Sequence, residues 1–122
     1  MVKKELNLND IKKLIPHREP MILVDTVKII KPFVSALGIK KINNDDHYFK
    51  GHFPEEPVMP GVLQLETMAQ VGGVLILSTV DNPEDYLTFF MKIENAKFKR
   101  KVVPGDTIIF RLNLISPIRR GL

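Results

Sequence analysis

The chain contains no cysteine. A disulfide framework and a cysteine-ligated zinc site are both excluded, which fits a reducing compartment. Long apolar runs are missing too. The longest nearly apolar stretch, 71–77, is too short to span a bilayer. The N-terminal MVKKELNLNDIKKLI carries charges but no uninterrupted apolar segment, so it is not a secretory signal. No repeat, P-loop, GxGxxG or GxSxG motif occurs, which removes the usual phosphate-cradling and serine-hydrolase signatures. His47 and His52 stand five apart without an HxxxH pairing, so no metal site is expected. These absences leave a cytoplasmic protein as the expectation, with no membrane span.

What is present fits one globular domain, 1–122, with 44% hydrophobic and 26% charged residues. The net charge is +4, and much of the basic excess is local. The KFKRK run at 97–101 (Lys97, Lys99, Arg100, Lys101) is followed by Arg111, Arg119 and Arg120. A basic patch of this kind suits an acidic partner or an anionic surface.

Along the chain, Asn9 or Asp10 can cap a short helix with Ile11, Leu14 and Ile15 on one face, ended by Pro16. MILVDTVKII (21–30) and FVSALGIKKI (33–42) are predicted strands, with NNDD (43–46) a turn. GVLQLETMAQVGGVLILST (61–79) is the one long predicted helix, apolar around most of its circumference and so buried on most sides. Three more strands are predicted: 86–93, 96–103 and 107–115. In the last, Ile108, Phe110, Leu112 and Leu114 oppose Ile109, Arg111 and Asn113. The order predicts an α+β fold, an antiparallel sheet curled over one central helix.

Residues 51–61, GHFPEEPVMPG, hold three prolines, two glycines and His52. A lone histidine is more often structural than catalytic. His52 differs in its setting, because proline fixes its own φ and restricts its predecessor, and a stiff loop holds a base at a fixed angle. Glu66 is the second oddity, a carboxyl on the apolar helix. Buried, it is costly unless paired or protonated, and a protonated carboxyl is an acid. Alternatively it meets Gln70 at i+4 on a polar stripe. Gly61 opens the helix, where unpaired N–H groups and a partial positive charge can receive a carbonyl oxygen. A base, an acid and an oxyanion-binding helix end suit proton abstraction beside a carbonyl with loss of a leaving group. Gly72-Gly73 inside the helix points to close packing.

Three stretches, LIPHREPMILVD (14–25), YFKGHFPEEPVMPGVLQLETMAQVGG (48–73) and KFKRKVVPGD (97–106), resemble the 3-hydroxyacyl-[acyl carrier protein] dehydratases of type II fatty acid synthesis. The resemblance implies a hotdog fold. It also implies dimers, often three to a hexamer, and an acyl carrier protein as partner, with no nucleic acid or membrane. It places the catalytic base on His52, the acid on Glu66 facing a neighbouring subunit's histidine, and the carbonyl-polarising N–H on Gly61. It implies dehydration of a (3R)-3-hydroxyacyl thioester to the trans-2-enoyl product without cofactor or metal. Glutamate rather than aspartate at 66 resembles the dehydratases that do not isomerise. The substrate is expected to touch Phe53, Val62, Gln70, Val71, Phe89 and Phe90, with Leu75 also on the acyl tunnel. Lys97, Lys99, Arg100 and Lys101 are the expected carrier-docking residues. His17 and Arg18 match the family and read as structural. Glu19 departs from it, standing near a position where an aromatic is usual. Family chains continue by roughly two strands beyond the position of Leu122, so the chain is expected to be C-terminally incomplete relative to them. A hotdog acyl thioesterase and a non-catalytic acyl-thioester-binding fragment are the competing readings.

Overall fold

A computed structural model describes residues 5–88, 90 and 92–115. Phe89, Arg119 and Arg120 lie outside the described residues. Four strands form one antiparallel sheet in sequence order: β1 (Glu5–Leu6), β2 (Thr26–Lys31), β3 (Ser35–Lys41) and β4 (Thr107–Asn113). A short helix α1 (Leu8–Lys12) follows β1, and the long helix α2 (Gly61–Leu77) separates β3 from β4. Two 3₁₀ turns, His47–Lys50 and Pro83–Asp85, flank α2 in sequence. Helix α2 packs on β3 and β4, and less on β2.

Helix α1 is capped two or three residues earlier than the sequence suggests, at Asn7. Asn7 Oδ1 accepts from the Asp10 N–H at 2.9 Å, and Asp10 Oδ2 accepts from the Asn7 N–H at 3.1 Å. Asp10 thus serves as the third helical residue of a capping box rather than as the cap. At the other end Arg18 donates to the carbonyls of Lys12, Ile15 and His17 at 3.0, 3.0 and 2.6 Å. A guanidinium there satisfies carbonyls that the helix leaves without partners.

Strand β2 starts later than predicted, because Met21 and Ile22 donate to Arg18 O in a turn and Leu23 N–H is taken by Gln70. Phe33, expected in β3, sits in the turn before it at φ 60, where Val34 N–H reaches Lys31 O. In β4 the alternation holds: Phe110 is buried, Ile108 and Leu112 pack on the core, and Ile109 is 59% exposed.

The predicted strands at 86–93 and 96–103 are not strands among the described residues. Their described backbone joins no ladder, and Tyr86, Leu87, Phe90, Ile93 and Phe98 are exposed. Alternation and β-propensity favour extended backbone, but a strand needs a ladder of bonds along a neighbour, and here Val102 O accepts one bond, from Met59 N–H at 2.8 Å, with no ladder among the described residues. Helix α2 is likewise less enclosed than its composition suggests. Its second half is mostly buried, whereas Gly61–Glu66 are half-buried or exposed.

The inward face of β3 carries Ala36, Gly38 and Lys40. Small residues there let α2 lie close, and a Cβ on Gly38 would overlap Cγ2 of Val71. Gly38→Ala is therefore expected to destabilise the protein by roughly 1–3 kcal/mol, the usual cost of overpacking. Urea titration reads this, and a more stable variant would refute it.

The core has two parts. One lies under α2 around Val27, Val71, Val74 and Phe110. The second, Leu23, Ile42, Tyr48, Phe49 and Met59, lies beneath the stiff loop. Burial of Met59, 1% exposed, is worth about 1.5–3 kcal/mol and pins the loop just before α2. At the loop's other end Tyr48 donates to Asp46 at 2.9 Å, and burial plus that carboxylate push its phenol well above its ordinary pKa.

Candidate active site

The proline-rich loop closes on itself around His52. Val58 N–H bonds His52 O at 2.9 Å, and the imidazole Nδ1 lies 2.7 Å from Val58 O. A carbonyl only accepts, so Nδ1 carries the hydrogen and Nε2 of the neutral ring keeps its lone pair. The Phe53 ring stacks on the imidazole with centroids 4.1 Å apart. Sequence order alone could not reveal this clasp, though the prolines explain why the loop holds it.

His52 lines a cavity of about 360 Å³ with Val58, Met59 and Gly61. His52 and the start of α2 therefore share one space. Leu63 is the first residue of α2 bonded to a carbonyl behind it, Pro60 O at 3.0 Å, so Gly61 and Val62 contribute the unbonded donors expected of a helix start. The missing side chain of Gly61 makes room for Phe98, whose ring carbons lie 3.1–3.3 Å from where a Cβ would stand. Lys99, Arg100 and Lys101 line the same cavity, so the basic run borders the base. Lys101 also bonds Glu56 at 2.9 Å, and that hydrogen bond holds the Glu56 carboxyl below its ordinary range.

Glu66 faces elsewhere. It lines a separate cavity of about 400 Å³ with His17, Ala69, Gly72, Gly73, Thr88 and Phe90. One chain thus presents the candidate base and the candidate acid to different spaces. Gln70 is 1% exposed, and its amide is spent on the protein. Its Oε1 accepts from Leu23 N–H at 2.8 Å, and its Nε2 donates to Met21 O at 2.7 Å and to Glu66 Oε2 at 3.0 Å. The i+4 contact read from the sequence is present, and it orients Glu66 instead of diverting it to solvent.

Of the other expected substrate contacts, Val71 and Leu75 are core residues at 0% and 2% exposure, and Val62 is 71% exposed. Core packing under Gly38 claims Val71. Phe90 lines Glu66's cavity and also a cavity of about 550 Å³ with Leu65, Met68, Ala69 and Phe110 on one side and Lys92, Glu94, Asn95 and Lys97 among its other lining residues. Sequence reasoning missed Leu65, Met68 and Phe110 as lining residues. His17, read as structural, stands against Glu66, a proximity that no local spacing announces. Among the described residues no cluster of histidine and carboxylate could hold a metal, and no helix is long and apolar enough to cross a membrane.

One long helix lying on an antiparallel sheet, with its N-terminus beside a loop histidine, is the hotdog fold of dehydratases. The FabA-like domain family matches residues 15–121. A solved structure, the dehydratase heterocomplex ApeI:P from Xenorhabdus doucetiae, shares the fold with a TM-score of 0.57. It is 24% identical, over 71% of this chain and 70% of that one. The bifunctional enzyme LpxC/FabZ of Bacteroides thetaiotaomicron is 57% identical over 96% of this chain. That of Porphyromonas gingivalis is 52% identical, also over 96%. The chain spans 25% of the length of each of these two relatives. The 3-hydroxyacyl-[acyl-carrier-protein] dehydratase FabZ of Clostridium novyi is 44% identical over 91% of this chain and 78% of its own length. The chain belongs to the FabA-like family, among its FabZ 3-hydroxyacyl-[acyl-carrier-protein] dehydratases.

Proposed function

We propose that the chain dehydrates (3R)-3-hydroxyacyl thioesters to trans-2-enoyl thioesters in fatty acid synthesis, without metal or cofactor, in the cytoplasm. His52 Nε2 takes the C2 proton. The electron pair moves toward the thioester carbonyl, where the Gly61 N–H and the positive end of α2 stabilise the developing negative charge. The pair returns to form the C2–C3 double bond as the C3–O bond breaks, and protonated Glu66 gives its proton to the departing hydroxyl, which leaves as water. Imidazolium and carboxylate then exchange one proton through solvent to reset the site.

The observation that carries this reading is the His52–Val58 clasp, which engages Nδ1 and leaves Nε2 as the ring's acceptor, with His52 and Gly61 lining one cavity. Base and acid meet when Glu66 is supplied by a second copy, because within one chain they line different cavities. The proposed assembly is a homodimer, or three such dimers. The apolar side of the cavity lined by Phe90, Leu65, Met68 and Phe110 suits the acyl chain. Lys97, Lys99 and Arg100, all exposed, form a basic rim suited to an acidic carrier protein bearing the substrate.

The chain is tested with a crotonyl thioester. Loss of enoyl absorbance with the thioester intact, and recovery of the 3-hydroxyacyl product, is expected. Release of free thiol would point to a thioesterase, and binding without turnover to a non-catalytic module.

A further inference from the structure

The proposed acid has a neighbour that the scheme above does not use. His17, in the turn after α1, sets Nε2 3.4 Å from Glu66 Oε2, with the two side chains 23% and 22% exposed. Oε2 is also the oxygen that accepts from Gln70 at 3.0 Å. No hydrogen bond to Oε1 is present among the described residues. Arg18, bonded to His17 O at 2.6 Å, pins the backbone that carries the ring.

The second nitrogen of His17 fixes the tautomer. Nδ1 is buried with no hydrogen-bond partner among the described residues. A buried N–H without an acceptor bears the full loss of its hydration, so the hydrogen belongs on Nε2, facing Glu66. The 3.4 Å contact is longer than the usual N–H···O of about 2.7–3.2 Å, so the ring faces the carboxyl at ion-pair distance. Among the described residues lining this cavity, His17 and Glu66 alone have ionisable side chains.

Resting on the dehydration reading, we infer that His17 is a positioning residue for Glu66. Its Nε2–H and the Gln70 N–H together keep Oε2 an acceptor. The carboxyl proton is thereby assigned to Oε1, the oxygen left to deliver it.

The test compares His17→Leu, which keeps bulk without a donor, and His17→Gln, which keeps an N–H in reach, in the full chain. His17→Leu is expected to lower kcat by roughly 10- to 100-fold with KM within about twofold and an unchanged unfolding midpoint. His17→Gln is expected to recover most of the loss. Parental kcat in His17→Leu, or equal losses in both variants, overturns the inference. Imidazole ¹⁵N NMR of the parent chain reads the tautomer without turnover. Nε2–H is expected, and Nδ1–H overturns the inference even if the variants fold poorly. A parent chain with no dehydratase activity would fail the functional reading instead, and the NMR result would stand apart from it.

Discussion

His52→Ala is expected to lower kcat for hydration of a crotonyl thioester by roughly 100- to 10,000-fold, the range that a positioned general base contributes. KM should change little, because the ring's role is to accept a proton rather than to hold the acyl chain. The fold should survive. The Val58 N–H bond runs to the His52 backbone carbonyl and does not need the ring, and Met59 anchors the loop from the core. What disappears is the lone pair that the Val58 carbonyl directs outward. A variant that folds like the parent and keeps kcat within about tenfold would remove His52 from the base role.

Glu66→Gln should be equally inactive, since an amide cannot give up a proton to a leaving hydroxide. The more telling result comes from mixing. Within one chain His52 and Glu66 line different cavities, so the proposed site takes its base from one copy and its acid from another. In a two-fold dimer pairing His52→Ala with Glu66→Gln, one site carries both lesions and the other carries neither. Random reassembly makes half of the dimers mixed, with half of their sites intact. Activity should therefore return to about a quarter of the parental value. Co-expression with two affinity tags checks this, and in isolated doubly tagged dimers, all of them mixed, the expected value rises to about half. Mixed assemblies that stay inactive would show that base and acid come from one chain.

Residues reveal the parts of this molecule whose causes are local. Pro60 and the apolar stretch after it mark the start of α2 at Gly61, and PGD (104–106) marks the turn before β4. His52 and Gly61 stand out because the prolines between them restrict the backbone. Features that depend on distant partners stay hidden. Residues 86–93 and 96–103 read as strands because side-chain alternation survives whether or not a neighbouring strand is present to form a ladder. Gln70 reads as a substrate contact because nothing near it in sequence indicates that Met21 and Leu23, 49 and 47 residues away, will take its amide. Val71 reads as tunnel lining, yet the bare Gly38 beneath it makes it core. His17 lies on a different element from Glu66, and only the docking of the turn after α1 against α2 brings the ring to the carboxyl.

The Gln70 amide also limits which residues that position tolerates. Its three bonds have fixed polarity: one oxygen facing a backbone N–H, and one nitrogen facing a carbonyl and a carboxyl oxygen. Glutamate has nearly the same shape but would set oxygen against oxygen at both Met21 and Glu66. Leucine would strand a buried donor and a buried acceptor. Size and hydrophobicity leave many residues open to a helix-core position, but here the direction of a dipole decides. A substitution at Gln70 can therefore fit the packing and still misalign the acid one helical turn away.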